Sequence, residues 1–121
     1  MNLDTHVFVF AMARSLTPRE SRLLASELWS VSAMVLWEIA KLNQLGRIDL
    51  GLAHPVVAET LQRIHIWPVD ARVAHALLRL DFRSDPADEL IAATSIAHNV
   101  PLVTRDTKLL ASSVVPFALM P

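Results

Sequence analysis

The sequence predicts an α/β protein built on a mostly parallel sheet. Short apolar stretches alternate with longer segments of helical periodicity along the whole chain, and that alternation makes βα units rather than hairpins. The longer segments also carry helix punctuation. Thr17 precedes Pro18, Gly46 follows a helical run, Asp85 precedes Pro86, and Asn99 follows His98. These are the residue types that open and close helices.

In chain order, a very short first strand begins at Leu3, and a helix is expected over residues 5–13. Thr17 as N-cap and Pro18 in the first turn start a second helix, running to about Glu27. Residues 28–32 read as a strand. Residues 33–45 read as a helix closed by Gly46, and residues 47–52 as a connection. A helix over 55–64 and a strand over 65–69 follow. Asp70 is placed to cap a helix over 71–80, and residues 82–84 form a loop. Asp85 caps a helix with Pro86 at its first position, which runs to His98 and stops at Asn99. Residues 102–104 are a strand and 106–110 a short helix. A last strand over 114–119 contains Pro116, which confines it to a sheet edge.

At 121 residues the chain is expected to be a single domain, residues 1–121, with one core. It has no cysteine, which excludes disulfides and zinc–thiolate sites and fits a reducing cytoplasm. No apolar run is long enough to cross a bilayer, and the N-terminus lacks a signal-peptide pattern. A net charge of −1 argues against a strongly basic, non-specific nucleic-acid binder. It leaves room for a nuclease with a local basic rim. The chain is 53% apolar with mean hydropathy +0.39. A small domain cannot bury all of that, so self-association or a partner is expected. The helix around Leu23, Leu24 and Leu28, and the tail 117–121, are the candidate sticky surfaces.

Four acidic residues stand where a parallel sheet would deliver them to one place: Asp4, Glu38, Asp88 and Asp106. Asp4 and Asp106 each end an apolar strand and precede Thr and a helix. Each alone reads better as an N-cap, and Asp88 also reads as a first-turn acid favoured by the helix dipole. Glu38 differs, because Met34, Val35, Trp37, Ile39 and Leu42 surround it. A lone carboxylate there costs several kcal/mol unless it is paired, with Lys41 one turn on as the alternative partner, or bound to metal. Ligands of open α/β sheets sit beyond the carboxyl ends of the strands. Carboxylates gathered there repel one another until a hard divalent cation binds. Ser32 and Thr104 are strand-end hydroxyls able to hold a water or to cap. The five histidines show no metal-type spacing, and no glycine-rich phosphate cradle or G-x-S-x-G elbow is present. Arg105, Arg83 and Arg14 are candidates for phosphate contacts, with solvated surface as the ordinary role.

The ordered set Leu3-Asp4-Thr5-His6, Val31-Ser32-Ala33 with Leu36-Trp37-Glu38-Ile39-Ala40, Gly46-Arg47-Ile48, Asp85-Pro86-Ala87-Asp88 with Leu90-Ile91-Ala92-Ala93, and Pro101 through Asp106 resembles the PIN-domain ribonucleases. Within them it resembles the VapC-type toxins of bacterial toxin–antitoxin pairs. The resemblance implies a three-layer α/β/α sandwich with a central, mostly parallel sheet. It implies an endoribonuclease dependent on Mg²⁺ or Mn²⁺, with Asp4, Glu38, Asp88 and Asp106 as the catalytic and metal-binding set and Thr104 at the family's hydroxyl position. It also implies an RNA substrate, a homodimer, a cognate antitoxin and no membrane association. Glu89 stands where relatives commonly carry arginine.

Two rival readings remain at this level. One is a non-catalytic PIN-like scaffold that binds a protein or RNA. The other is a receiver-like or phosphatase-like domain with an aspartyl nucleophile, which should carry a lysine on a late strand where this chain has Thr104-Arg105-Asp106. Of the pair Asp85 and Asp88, Asp85 is expected to cap its helix and Asp88 to face the site.

Overall fold

The computed structural model describes residues 1–119. Strand β1 (Asn2–Leu3) leads through α1 (Thr5–Met12) and α2 (Pro18–Ala25) to β2 (Ser30–Ser32). Helices α3 (Ala33–Gln44) and α4 (Pro55–Arg63) lead to β3 (His65–Trp67). Then α5 (Ala71–Ala76), a 3-10 turn (Leu77–Arg79) and α6 (Pro86–His98) return the chain to β4 (Leu102–Val103), followed by α7 (Thr107–Leu110). The sheet has four strands in the order β3-β2-β1-β4, and every pairing is parallel. This is the expected α/β architecture, with helices layered on a central parallel sheet.

The order of the strands positions the site. The chain steps outward from β1 to β2 to β3, then crosses back to lay β4 on the other side of β1. The reversal puts a topological switch point between β1 and β4, where a crevice opens beyond the strand ends. Asn2 pairs with Leu102 and Leu3 with Val103, so the next residues, Asp4 and Thr104, emerge side by side.

Helix α6 is the central packing element. Ala87, Ile91, Ala92, Ala93, Thr94, Ser95 and Ile96 are buried, and the small residues let its backbone approach its neighbours closely. From β1, the buried Asn2 amide donates to Ile91 O at 3.2 Å and to Ser95 Oγ at 2.9 Å. Leu3, Val7, Phe8, Val31, Val35, Ile39 and Leu102 complete the core. Helix ends follow the local signals. Thr17 and Glu20 form a capping box, Asn99 closes α6 in the left-handed region, and Gly46 takes a positive φ after α3. No helix of the described residues is long and apolar enough to cross a membrane.

Several expectations are corrected. The last strand over 114–119 shrinks, among the described residues, to one parallel bridge between Leu102 and Phe117. The Asp81 carboxylate accepts from Ser112 Oγ and Ser113 N–H, and Ser112 Oγ accepts from the amides of Val114 and Val115. That segment is therefore held as a turn. The expected sticky pair Leu23 and Leu24 is buried, because Glu20, Leu23 and Leu24 form the inward face of α2. Leu28 is 90% exposed, as expected, and Leu78, at 80%, joins it as the 3-10 turn swings it outward. Of the tail, Leu119 is 88% exposed, while positions 120 and 121 lie outside the described residues.

One ion pair ties α2 to the end of β4. The Arg105 guanidinium donates from Nε to Glu20 Oε2 and from Nη2 to Glu20 Oε1, each at 2.6 Å. It also lies over the Phe10 ring at 4.0 Å. The arginine hydrogen bonds hold the Glu20 carboxyl down at about 2. A depressed carboxyl contributes stability that is present above its ordinary value of 4.5 and lost as pH falls towards about 2. Glu20→Gln should cost about 2 kcal/mol at neutral pH, less than a fully buried pair because the arginine side chain is 38% exposed. Thermal unfolding across pH should show the gap from the parent closing through that acidic window.

Candidate functional site

Asp4 is the fixed point of the site. It is the N-cap of α1, directly after β1. Its Oδ1 accepts from Thr5 N–H at 2.8 Å, and its Oδ2 accepts from the Thr104 hydroxyl at 2.6 Å. The capping reading and the site reading of Asp4 are thus both true, since the cap bonds are what orient the buried carboxylate. Thr104 Oγ1 also accepts from Asp106 N–H at 3.0 Å, so the anticipated strand-end hydroxyl connects the two aspartates.

Glu38 reaches the same place from α3. Its neighbours Val35 and Ile39 turn into the core, which leaves the carboxylate half-buried at the core's edge. The Thr5 hydroxyl donates to Glu38 Oε1 at 2.5 Å. Lys41 does not pair with it, because its Nζ donates to Gln44 Oε1 at 2.9 Å. Asp88 arrives from the first turn of α6 and accepts from Ser84 Oγ at 3.0 Å. Ile91 and Ala92, one turn on, are fully buried, so the expected register of α6 holds.

Asp4, Glu38 and Asp88 each offer a carboxylate oxygen within 4.8 Å of the others. Asp106 stands outside that triad. It caps α7 through Lys108 N–H at 2.8 Å and lines the same cleft of about 440 Å³ with Asp4, His6, Phe10, Glu38, Asp85, Asp88 and Arg105. Asp85 departs from expectation. It occupies the N-cap position of α6, yet its side chain makes no capping hydrogen bond. Asp88 in the first turn already faces that positive helix end. Arg105 is the candidate arginine that lines the cleft, but two of its nitrogens are held by Glu20. Arg83 borders a different hollow beside Leu77 and Glu89, and Arg14 sits in the turn after α1. Ser32 caps α3 by accepting from Met34 N–H, which was its ordinary role.

The electrostatics are those of a cation site. Burial pushes the Glu38 carboxyl above its ordinary value, the Thr5 hydrogen bond opposes this, and the charges of Asp88 and Asp4 push it further. Burial likewise raises Asp88, with Ser84 opposing and Asp4, Asp106 and Asp85 adding to the rise. Three oxygens that crowd within one coordination sphere and resist ionising together suit a hard divalent cation, which takes carboxylate oxygen ligands.

Sequence reasoning missed Thr5, Ser84, His6 and Phe10. Thr5 had a signal, being a hydroxyl in the first turn after a strand-end aspartate. Ser84 had none, since it lies in a loop whose path the chain pattern does not specify. His6 lines the cleft, whereas other histidines are structural as expected. His54 caps α4, and His65 and His98 pack on Trp67.

Comparison with known proteins shows the family. A model of the PIN domain family matches residues 1–112. "Ribonuclease VapC22" of Mycobacterium tuberculosis is 37% identical over 117 residues, spanning 88% of this chain and 87% of that protein. Among solved structures, VapBC2 from Rickettsia felis bound to a promoter DNA fragment superposes with a TM-score of 0.75 at 19% identity, covering 99% of this chain and 98% of that one. A toxin–antitoxin complex from Klebsiella pneumoniae superposes with a TM-score of 0.68 at 19% identity, covering 91% and 89%. At such identities the structures speak for the fold.

The raised carboxyls set a test of the site itself. A carboxyl raised in the folded state stabilises it below the ordinary value, 4.5 for Glu38 and 3.8 for Asp88, and that contribution is lost as pH rises through the raised value. At neutral pH the metal-free parent therefore carries a penalty. Glu38→Gln and Asp88→Asn should unfold at the same temperature as the parent or a few degrees higher, and the advantage should vanish in acid. Millimolar Mn²⁺ should raise the parent's midpoint and move those of the variants little. Calorimetry with and without EDTA checks both.

Proposed function

The chain belongs to the PIN-domain family, and from that premise we propose that it is a divalent-metal-dependent endoribonuclease, the toxin of a toxin–antitoxin pair. The observation that carries the reading is the convergence of Asp4, Glu38 and Asp88 oxygens at the sheet's switch point. A scaffold that only binds a partner has no use for three mutually repelling carboxylates held at the mouth of a cleft. The ribonuclease activity named for the M. tuberculosis relative supports RNA as the substrate.

Asp4, Glu38 and Asp88 would hold the ion, with Mg²⁺ or Mn²⁺ as the candidates. When bound, the cation neutralises charge on a phosphodiester oxygen and acidifies the attacking water. The chain's own residues supply position and proton traffic. Asp4 is immobilised by Thr5 and Thr104. Glu38 is steered by the Thr5 hydroxyl and Asp88 by that of Ser84. Asp106 commits one oxygen to Lys108 N–H, which leaves the other to orient the water across the cleft. In hydrolysis the water oxygen bonds to phosphorus as the bond from phosphorus to the departing ribose oxygen breaks, the water's proton passes to a carboxylate oxygen, and the departing oxygen takes a proton from solvent.

A partner protein is part of the proposal. Leu28, Leu78 and Leu119 are largely exposed, and the similar fold of the K. pneumoniae toxin–antitoxin complex supports an antitoxin that binds this chain. A homodimer is the second part of the proposal. Light scattering on the purified chain should show a dimer, or precipitation relieved by co-expression with the partner.

The experiment that tests the activity is cleavage of unstructured RNA with Mg²⁺ or Mn²⁺ against EDTA. Asp4→Asn, Glu38→Gln and Asp88→Asn should each reduce cleavage at least a hundredfold, a loss typical of removing a metal ligand. Asp106→Asn should also remove most cleavage. Asp85→Asn should keep most of kcat, since Asp85 offers no oxygen to the triad, with any effect falling on KM. Undiminished cleavage in EDTA overturns the metal-dependent reading.

A further inference from the structure

A second hollow adjoins the acidic cleft. It encloses about 410 Å³ and is lined by Met34, Trp37, Glu38, Asp85, Pro86 and Ala87. Glu38 and Asp85 line both spaces, so whatever occupies the carboxylate triad has its flanking group delivered here. The lining is otherwise apolar, and its largest element is Trp37, which is 55% exposed on α3. A half-exposed indole beside a half-buried carboxylate contributes little to the core, and burial of α3 is carried instead by Val35 and Ile39.

Two further observations select the occupant. First, the Asp85 carboxylate is not used as a helix cap, although its position would allow it. An acceptor-only group at the mouth of an apolar slot matches the exocyclic amino group of a nucleobase. Second, Trp37 also lines a separate hollow with Lys41 and Gln44, which places a cation one helical turn along α3 from the indole. Aromatic face, acceptor edge and outlying cation follow the sequence base plane, base edge and next phosphate. Single-stranded nucleic acid is bound in this manner, by stacking on aromatic side chains with basic groups along the backbone.

We infer that the hollow between Trp37 and Pro86 is a subsite for one nucleobase of single-stranded RNA, adjacent to the phosphodiester held at the carboxylates, with Trp37 stacking on the base and Asp85 accepting from its amino group. The inference rests on the nuclease reading above for the position of the phosphodiester. Cytosine, adenine and guanine carry the required amino donor, whereas uracil carries a carbonyl in its place and offers the carboxylate its ring N3–H alone. The subsite is therefore selective as well as adhesive.

The test separates the two readings. Binding is followed by anisotropy of labelled short homopolymers of cytidine, adenosine and uridine, in an Asp4→Asn background that stops cleavage. Trp37→Ala should weaken binding about tenfold and Trp37→Phe much less, the range expected for losing one stacked base. Asp85→Ala should abolish a preference for cytidine and adenosine over uridine. In the otherwise unaltered chain, Trp37→Ala should raise KM for cleavage with kcat and Mn²⁺ affinity little changed. Equal RNA affinity for Trp37→Ala and its background overturns the subsite. So does an unchanged affinity accompanied by a shift in oligomeric state, which would make Trp37 an interface between copies. Parent binding that favours uridine overturns the role of Asp85. If the parent cleaves no RNA with either metal while binding still depends on Trp37, the nuclease reading falls and the subsite stands.

Discussion

The buried carboxylate of Asp4 is bound on both oxygens at the one place where the sheet reverses its direction of travel. Thr5 N–H holds one oxygen and the Thr104 hydroxyl the other. Thr104 follows β4, so the bond that orients Asp4 also fastens β1 to β4 beyond their two paired residues. Thr104 then accepts from Asp106 N–H, while the Thr5 hydroxyl turns the other way to Glu38. A chain of hydrogen bonds thus crosses the switch point from Glu38 to Asp106 through Thr5, Asp4 and Thr104. The remaining charges are defined relative to this chain, because Asp4 is one of the reasons Glu38 and Asp88 hold their protons more tightly.

The sheet that carries this arrangement is slight. Its strands are two or three residues long, too short for ladder bonds alone to specify a register. Specification comes from the sides. Asn2 is tied to α6 through Ile91 and Ser95, and Ser30 Oγ donates to Met1 O at 2.8 Å. Arg105 and Glu20 lock the end of β4 to α2. Buried polar bonds of this kind favour one arrangement over its neighbours because a slipped register leaves them unpaired. The site therefore sits on a frame whose precision comes from side chains as much as from backbone pairing.

The sequence exposed the helices and the convergence of Asp4, Glu38 and Asp88 well, and the edges of the fold poorly. Caps such as Thr17 with Pro18, Gly46 and Asn99 act within a few residues, so their signals survive in the chain itself. Glu38 stood out because its apolar neighbours made its burial costly, and the structure places it half-buried beside two other carboxylates. Residues 114–119 looked like a strand because the apolar pattern there ignores Asp81, more than thirty positions earlier, whose carboxylate binds Ser112 and Ser113. Leu23 and Leu24 looked exposed because the facing of a short helix depends on what packs against it. Arg105 read as a phosphate candidate or as solvated surface because its partner, Glu20, lies 85 positions away in the chain.

Charge placement narrows how such a chain can hold a polyanion. Its formal net charge is −1, and the lining of its cleft is dominated by carboxylates, with Arg105 as the guanidinium present. Two nitrogens of that arginine already satisfy Glu20. Counterion release from many lysine and arginine contacts, the usual source of nucleic-acid affinity, is not supplied by the lining of this cleft. Under the proposed function, attraction in this cleft comes at short range, from a cation on the carboxylates and from the apolar surface next to it. Both forces act over a few ångströms and depend weakly on the ionic atmosphere, since a bound divalent ion and a stacked ring are screened much less than exposed charges. An acidic cleft beside an exposed indole is then consistent with the proposed RNA substrate, the proposed metal supplying the charge that the side chains withhold.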